Sequence, residues 1–320
     1  MTPRLLILGA AGFVGQRIVA RTVARHGPQA VVAAVRKPAA AGVFPEGVAQ
    51  RPYDASQNIA PLVLETGATH VVNCVMGSTD AMIQSTRQAL AAVAGSDVRL
   101  VHFSSIAVFA GAQGVVEECD RAFSPADSYG AAKVEAEQMV LAADPARWTI
   151  LRPGLVHGPG SELWTRRIAR LIADGRLGPM GVRGEGICPL VDVDDVAAAA
   201  LAACETEEAT GRALFLVADD PPTWNRYITD MATAMGVPAR PLTPVRLMAE
   251  RLKAYPQTIA SRAGMNLGEA ITPGLFRLFD QQTHFPSTAV PLLLSDWKDY
   301  AEAVREGARW AVAQMPSREK

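Results

Sequence analysis

The sequence predicts an α/β fold, a doubly wound parallel sheet that carries a smaller, discontinuous second lobe. Three observations predict it. Short apolar runs rich in β-branched residues alternate with Ala-rich amphipathic stretches through the first half of the chain. Each run is apolar almost throughout, the pattern of strands covered on both faces by crossover helices. A glycine-rich turn, Gly9-Ala10-Ala11-Gly12-Phe13-Val14-Gly15, directly follows the first run.

Taken in order, Leu5–Leu8 reads as the first strand and Gly12–Arg25 as the first helix, with apolar residues recurring at three- and four-residue intervals. Ala30–Val35 is the second strand. Lys37–Gly47, rich in Ala, Gly and Pro, reads as a loop where a crossover helix is expected. A third strand ends near Asp54, His70–Val75 is the fourth and Arg99–Ser104 the fifth, with a helix over Asp80–Ala94 between the last two. A helix over Asp127–Ala142 leads to a strand at Trp148–Leu151. Beyond Val156 the alternation fails. Ser161–Gly186 reads as a helix and a glycine-rich loop, Ile187–Cys204 and Arg212–Val217 return to sheet-and-helix character with a helix over Val193–Cys204, and the chain from Pro221 is mostly helical. The expected division is a nucleotide-binding domain over 1–156, completed by about 187–217, with a substrate lobe over 157–186 and 218–320.

A chain of 320 residues is long enough for such a two-part build. Its 31 Lys and Arg nearly cancel its 32 Asp and Glu, and no block of like charge occurs, which argues against nucleic acid or an anionic membrane surface as partner. Small molecules are the expected partners. Cys74, Cys119, Cys188 and Cys204 are scattered, without the spacing of a disulfide framework or a metal site. The apolar start from Leu5 to Ile18 is interrupted by glycines at 9, 12 and 15 and is not read as an export signal. No apolar run is long enough to span a bilayer, so a soluble protein is expected, and the scattered cysteines fit a reducing cytoplasm.

The glycine turn lies between a strand and a helix, where backbone N–H groups at a helix start can approach a pyrophosphate; Gly9, Gly12, Phe13, Val14 and Gly15 are therefore expected to hold a dinucleotide. The second strand ends in Arg36-Lys37 and offers no acid for a ribose diol, so NADP(H) is preferred over NAD(H). Asp54 reads either as an adenine-side contact or as a cap for the segment starting at Ser56. Cys74, Val75 and Met76 end the fourth strand beside the same crevice.

Tyr129 and Lys133 stand four residues apart on a helix, hence on one face. A carbonyl that gains hydride must also gain a proton, and a phenol becomes a usable acid or base when a neighbouring ammonium stabilises its phenolate. A hydroxyl to hold the substrate oxygen is offered by Ser105, with Ser104 as fallback, at the carboxyl end of the fifth strand.

These motifs together resemble the extended short-chain dehydrogenase/reductase family, of the NAD-dependent epimerase/dehydratase kind. Later segments resemble it too: Leu151-Arg152-Pro153-Gly154-Leu155-Val156-His157-Gly158-Pro159-Gly160, Val191-Asp192-Val193-Asp194-Asp195-Val196-Ala197, and a C-terminal helix over Trp297 to Trp310. The resemblance implies a Rossmann-type domain in which Tyr129 is the general acid/base, Lys133 also holds the nicotinamide ribose, Ser105 polarises the substrate carbonyl, and Pro153 to Val156 flank the nicotinamide. It also implies a homodimer through helices 80–94 and 127–142. The helix after the fourth strand lacks the Asn often found near its start in the family, Met82 being the best match.

The expected reaction is hydride transfer between the nicotinamide and a carbonyl or alcohol. The rival is nucleotide-sugar epimerisation on bound NAD(P). Against that rival, Ser105 is followed by Ile106 and Ala107 where related dehydratases carry Asp-Glu, Leu155 replaces an Asn, and Cys188 or Pro189 replaces a diphosphate-binding Arg. Arg166, Arg167 and Arg183 are possible substitutes. A non-catalytic nucleotide-binding relative is a third reading, opposed by the intact Ser, Tyr and Lys set. Met76, Phe109, Leu155, His157, Trp164 and Pro189 are expected near the substrate, a mostly apolar set suited to a hydrophobic carbonyl compound, and each can equally be core.

Overall fold

The computed structural model describes residues 2–250, 252–253 and 271–315. Its strands are β1 (Leu5–Leu8), β2 (Val31–Val35), β3 (Ala49–Pro52), β4 (His70–Asn73), β5 (Arg99–Phe103), β6 (Gly114–Val115), β7 (Trp148–Pro153), β8 (Leu155–His157), β9 (Leu190–Asp192), β10 (Ala213–Leu216) and β11 (Thr283–His284). The helices are α1 (Phe13–His26), α2 (Ala60–Thr66), α3 (Thr79–Val93), α4 (Ser128–Leu141), α5 (Arg167–Ala173), α6 (Val193–Glu205), α7 (Trp224–Ala234), α8 (Pro273–Asp280), α9 (Ala289–Leu293) and α10 (Tyr300–Ala313).

Seven strands pair in parallel in the order β10-β7-β5-β4-β1-β2-β3. The chain runs outward from β1 to β3 and returns on the other side as β4, so the order reverses between β1 and β4. A crevice opens there at the carboxyl ends of the strands, where ligands of such sheets bind. Leu8 is in register with both Ala34 and Asn73, which aligns the ends of β2, β1 and β4 around it.

Both faces of the sheet are packed. Leu5, Ile7, Val31, Ala33 and Val72 meet Ile18 and Val19 of α1 and the Ala-rich face of α6. Leu6, Leu8, Val32, Ala34 and Val71 meet Val63 of α2, Ala89 and Val93 of α3 and Val140 of α4. That two-sided burial is the physical reason for the unbroken apolar runs. The edges are treated differently. β3 is polar and largely exposed, whereas β10 is covered: Glu118 accepts the Phe215 N–H at 2.9 Å and the Ser287 hydroxyl donates to the Phe215 carbonyl at 2.7 Å.

Strands end earlier than the apolar runs suggest at β4 and β5, and later at β7. Cys74 and Ser104 leave the ladders to build the crevice, while β7 continues through Arg152 and Pro153 because β10 pairs with it as far as Leu216 and Pro153. A second core gathers Ile168 and Leu171 of α5, Trp224 and Tyr227 of α7, Phe276 and Phe279 of α8 and Val304 of α10 around Leu155 and Leu190. The C-terminal helix starts three residues later than expected, where the Asp299 carboxylate caps it by accepting the Glu302 N–H at 2.8 Å. Among the described residues no helix is long and apolar enough to cross a membrane.

Candidate active site

The glycine turn closes where β1 meets α1. Gly12 donates its N–H to the Gly9 carbonyl at 2.9 Å. A Cβ at Gly15 would lie 2.8 Å from Ala10 Cα and closer still to the Gly9 carbonyl oxygen, so only glycine lets the helix pack this close to the turn. The start of α1 has no side-chain cap and no acid in its first turn. Uncapped N–H groups at the positive end of a helix dipole are what a pyrophosphate requires, so the turn fits a dinucleotide. Val14 packs on the sheet core. The segment after β8 braces the same helix start: Arg17 donates to the Pro159 carbonyl at 3.0 Å, and the Phe13 ring lies against Gly160.

Arg36 and Lys37 follow β2 and are exposed. Asp54 accepts from the Ser56 hydroxyl at 2.5 Å and the Ser56 N–H at 3.0 Å, and those two bonds hold its carboxyl below the usual range, with Arg36 adding a smaller pull. Of the two readings open for Asp54, the local turn contact is therefore made, although α2 begins only at Ala60. At the end of β4, Asn73 is buried; it accepts from the Ser85 hydroxyl at 2.9 Å and the Val75 N–H at 3.3 Å. The Tyr53 hydroxyl donates to Ser85 at 2.7 Å, completing the chain of bonds. Cys74 donates its thiol to the Leu8 carbonyl at 3.1 Å, and burial pushes that thiol up to about 12, with Lys133 opposing. Met76 is 69% exposed at the mouth of the crevice.

Tyr129 lies in the first turn of α4, which Asp127 caps by accepting the Gly130 N–H at 2.8 Å. A Cβ at Gly130 would stand 2.7 Å from the Ala107 carbonyl oxygen, so its absence lets α4 touch the turn Ile106–Phe109 that Ser105 caps. This approach brings Tyr129 to Ser105. Burial raises the Tyr129 phenol, the neighbouring Ser105 side chain lowers it, and the Asp127 charge raises it again. Lys133 Nζ lies 6.0 Å from the Tyr129 ring centroid, and Ser105 offsets part of the rise that burial imposes on the phenol.

Lys133 is buried and donates to the Phe103 carbonyl at 2.6 Å. Burial lowers its ammonium to about 8, while Cys74 and Glu137 pull the other way. Ser105 accepts the Ala107 N–H at 3.1 Å. Its neighbour Ser104 points elsewhere, donating to the buried Glu137 carboxylate. Glu137 is paired in turn with Arg152 at 2.5 Å, both side chains fully buried, and Arg152 also donates to the Glu118 carbonyl at 3.0 Å. Sequence reasoning missed Glu137; its signal was available, an acid four residues beyond Lys133 and on the same helix face.

The residues expected near the substrate separate in space. Phe109 is buried, with Phe215 at 6.1 Å and the Arg152 guanidinium 5.1 Å from its ring. Leu155, His157 and Pro189 are buried; Leu155 donates its N–H to the Pro189 carbonyl at 2.8 Å, and burial, with a smaller push from Lys298, lowers His157 to about 4. His157 ends β8, opposite Asp192 of β9. Trp164 is half-buried with its ring 6.2 Å from that of Trp224. Pro153 is the buried end of β7, and Val156 packs partly on the sheet core. Met82 is buried inside α3. Arg166 pairs with Glu162, Arg183 stands 3.8 Å from Asp280, and Cys188 is buried.

Solved structures of similar fold include the terminal R domain from the myxalamid PKS-NRPS biosynthetic pathway, 18% identical over 98% of this chain and 92% of that one, with TM-score 0.75. The UDP-glucose 4-epimerase of Thermus thermophilus in complex with NAD is 19% identical over 98% and 100% of the two chains, TM-score 0.68. MoeE5 in complex with UDP-glucuronic acid and NAD is 21% identical over 98% and 100%, TM-score 0.69. These likenesses are of fold. No curated protein sequence matches the chain. The model of the NAD-dependent epimerase/dehydratase family matches residues 5–217. With the parallel sheet, its switch point and the Ser105, Tyr129 and Lys133 arrangement, that match makes the chain a member of the NAD-dependent epimerase/dehydratase family.

Proposed function

We propose that the protein is an NADP(H)-dependent oxidoreductase that moves hydride between the nicotinamide and a carbonyl or alcohol substrate. The observation that carries this reading is the close approach of α4 to the turn that Ser105 caps, which brings Tyr129 to Ser105 beside a buried Lys133 anchored on the Phe103 carbonyl. When bound, the dinucleotide supplies or accepts the hydride. Tyr129 gives a proton to the substrate oxygen or takes one from it, Ser105 donates to that oxygen, and the Lys133 charge favours the phenolate that results. Exposed Arg36 and Lys37, with Asp54 fastened to Ser56, support a 2′-phosphate over a bare ribose diol.

A nucleotide-sugar epimerase is the second reading, since two of the similar structures are described with UDP-glucuronic acid or as a UDP-glucose epimerase. Leu155 and Cys188 speak against it, both being buried and apolar or weakly polar where a sugar diphosphate needs amide and charged groups, and Ile106 stands where dehydratases carry an acid. The substrate is a small molecule, the chain works in the cytoplasm, and two copies pair through α3 and α4; these too are proposals. The deciding experiment identifies co-purified nucleotide by mass, then measures NADPH and NADH turnover with aldehydes, ketones and UDP-sugars for the parent and Tyr129→Phe. The proposal stands if Tyr129→Phe binds NADPH but loses carbonyl turnover by roughly 100-fold or more. Full turnover in that variant, or sugar epimerisation without net NADPH consumption, overturns it.

A further inference from the structure

Behind the proposed catalytic residues lies a buried ionic assembly that touches none of the reacting atoms. Glu137 sits one helical turn beyond Lys133 and is fully buried. One of its carboxylate oxygens takes Arg152 Nε at 3.0 Å and a terminal guanidinium nitrogen at 2.5 Å; the other takes the Ser104 hydroxyl. Arg152 is fully buried too, its guanidinium 5.1 Å from the Phe109 ring centroid and 5.3 Å from that of Phe215. The two rings and the Glu118 carbonyl leave Arg152 little freedom to follow Glu137 elsewhere.

Its placement is the informative part. Lys133 and Glu137, successive on one face of α4, grip successive residues of the neighbouring segment: the ammonium holds the Phe103 carbonyl and the carboxylate holds the Ser104 hydroxyl. Ser105 is the next residue, and Phe109 closes the turn that Ser105 caps. A buried ion pair adds little net stability compared with apolar packing, but a fully bonded one defines a single geometry. We infer that Glu137, held by Arg152, is a positioning residue that fixes Ser105 and Lys133 relative to Tyr129 by tethering Ser104. This rests on the reductase reading given above.

Four charged or titratable groups face Lys133: Tyr129 and Glu137 from α4, His102 from β5 and Cys74 beyond β4. Among them Glu137 bears the compensating charge, so the assembly acts on both the position and the protonation of Lys133. Ser104→Ala cuts the tether without changing any charge, and Ser104→Thr restores a hydroxyl. Glu137→Gln keeps the shape and removes the charge.

The experiment measures kcat, NADPH Kd, melting temperature and the pH profile for these three variants with Ser105→Ala and Tyr129→Phe alongside. Expected are a roughly tenfold lower kcat for Ser104→Ala that persists well below its melting temperature at parental NADPH affinity, recovery in Ser104→Thr, a larger loss in Ser105→Ala, and an alkaline limb displaced to lower pH in Glu137→Gln. Parental kcat in Ser104→Ala, or a loss that tracks a fall in melting temperature and disappears on cooling, overturns the positioning role. Full turnover in Tyr129→Phe instead removes the reaction reading, and this role with it, so the two failures are told apart.

Discussion

Lys133 Nζ donates to the Phe103 carbonyl at 2.6 Å, pinning the middle of α4 to the carboxyl end of β5. The bond fixes a cation that burial has already brought down to about 8. Lys133 is charged below that pH and neutral above it. Carbonyl reduction, which draws on the charge, is expected to hold steady up to about pH 7 and to fall through about 8. Lys133→Met is expected to lower kcat roughly 100-fold and to remove that limb. A profile of kcat against pH that stays flat to 9.5 in the parent contradicts the assignment.

Exposed Arg36 is the first residue after β2. Arg36→Ala is expected to weaken NADPH binding tenfold or more, the loss of a charge-assisted contact of about 1.5–3 kcal/mol, and to leave NADH binding within twofold. Fluorescence titration with both nucleotides checks it. Equal effects on the two would return Arg36 to the solvated surface.

Gly15 leaves no room for a side chain, a Cβ there lying 2.8 Å from Ala10 Cα and closer still to the Gly9 carbonyl oxygen. Gly15→Ala is expected to destabilise the fold by about 1–3 kcal/mol and to displace the turn, so that dinucleotide affinity falls at least tenfold. Calorimetric unfolding and binding on the same preparation test both halves; an unchanged Kd would show that the turn does not hold the ligand.

His102 is buried in β5, and neither ring nitrogen has a hydrogen-bond partner among the described residues. Burial first, and the Lys133 charge second, lower it to about 3; His70 and His157 are each lowered to about 4. The unfolded chain protonates such groups near 6.5, so the stability they carry is present above 6.5 and is lost as pH falls toward 4. Asp195, raised to about 6, and Asp192, also raised, act in the opposite sense, gaining on acidification. Three histidines against two aspartates leave a net acid destabilisation. His102→Met is expected to raise stability at pH 7 by about 1–3 kcal/mol, by removing two unmatched polar atoms, and to flatten the acid slope by up to ~1.4 kcal/mol per pH unit. Urea titrations at pH 4.5 and 7 measure both; a less stable variant with the parental slope refutes the argument.

The expected elements were most legible where local pattern and final environment agree. The first strand was read at its observed limits, and the helices around α1, α3, α4 and α6 within a residue or so at either end. The glycine turn and the Tyr129 and Lys133 spacing were equally plain, because their chemistry depends on residues close in sequence. The late start of α10 was also signalled, by Asp299 three residues before Glu302. What could not be read depended on distant partners. Arg152 fell just beyond the expected strand end at Leu151, yet it stays inside β7, where Glu137 and two aromatic rings receive it.

The sequence by itself determined the parallel sheet, the glycine turn and the shared face of Tyr129 and Lys133, since apolar periodicity and helical spacing express local geometry directly. Only the tertiary structure decided that Ser105 and not Ser104 meets Tyr129, that Phe109 and His157 face packed interiors, and that Glu137 joins Arg152. Which of two adjacent hydroxyls turns toward a phenol, and whether a charge finds a buried mate, depend on segments tens of residues apart meeting at contact distance. No local pattern encodes that meeting.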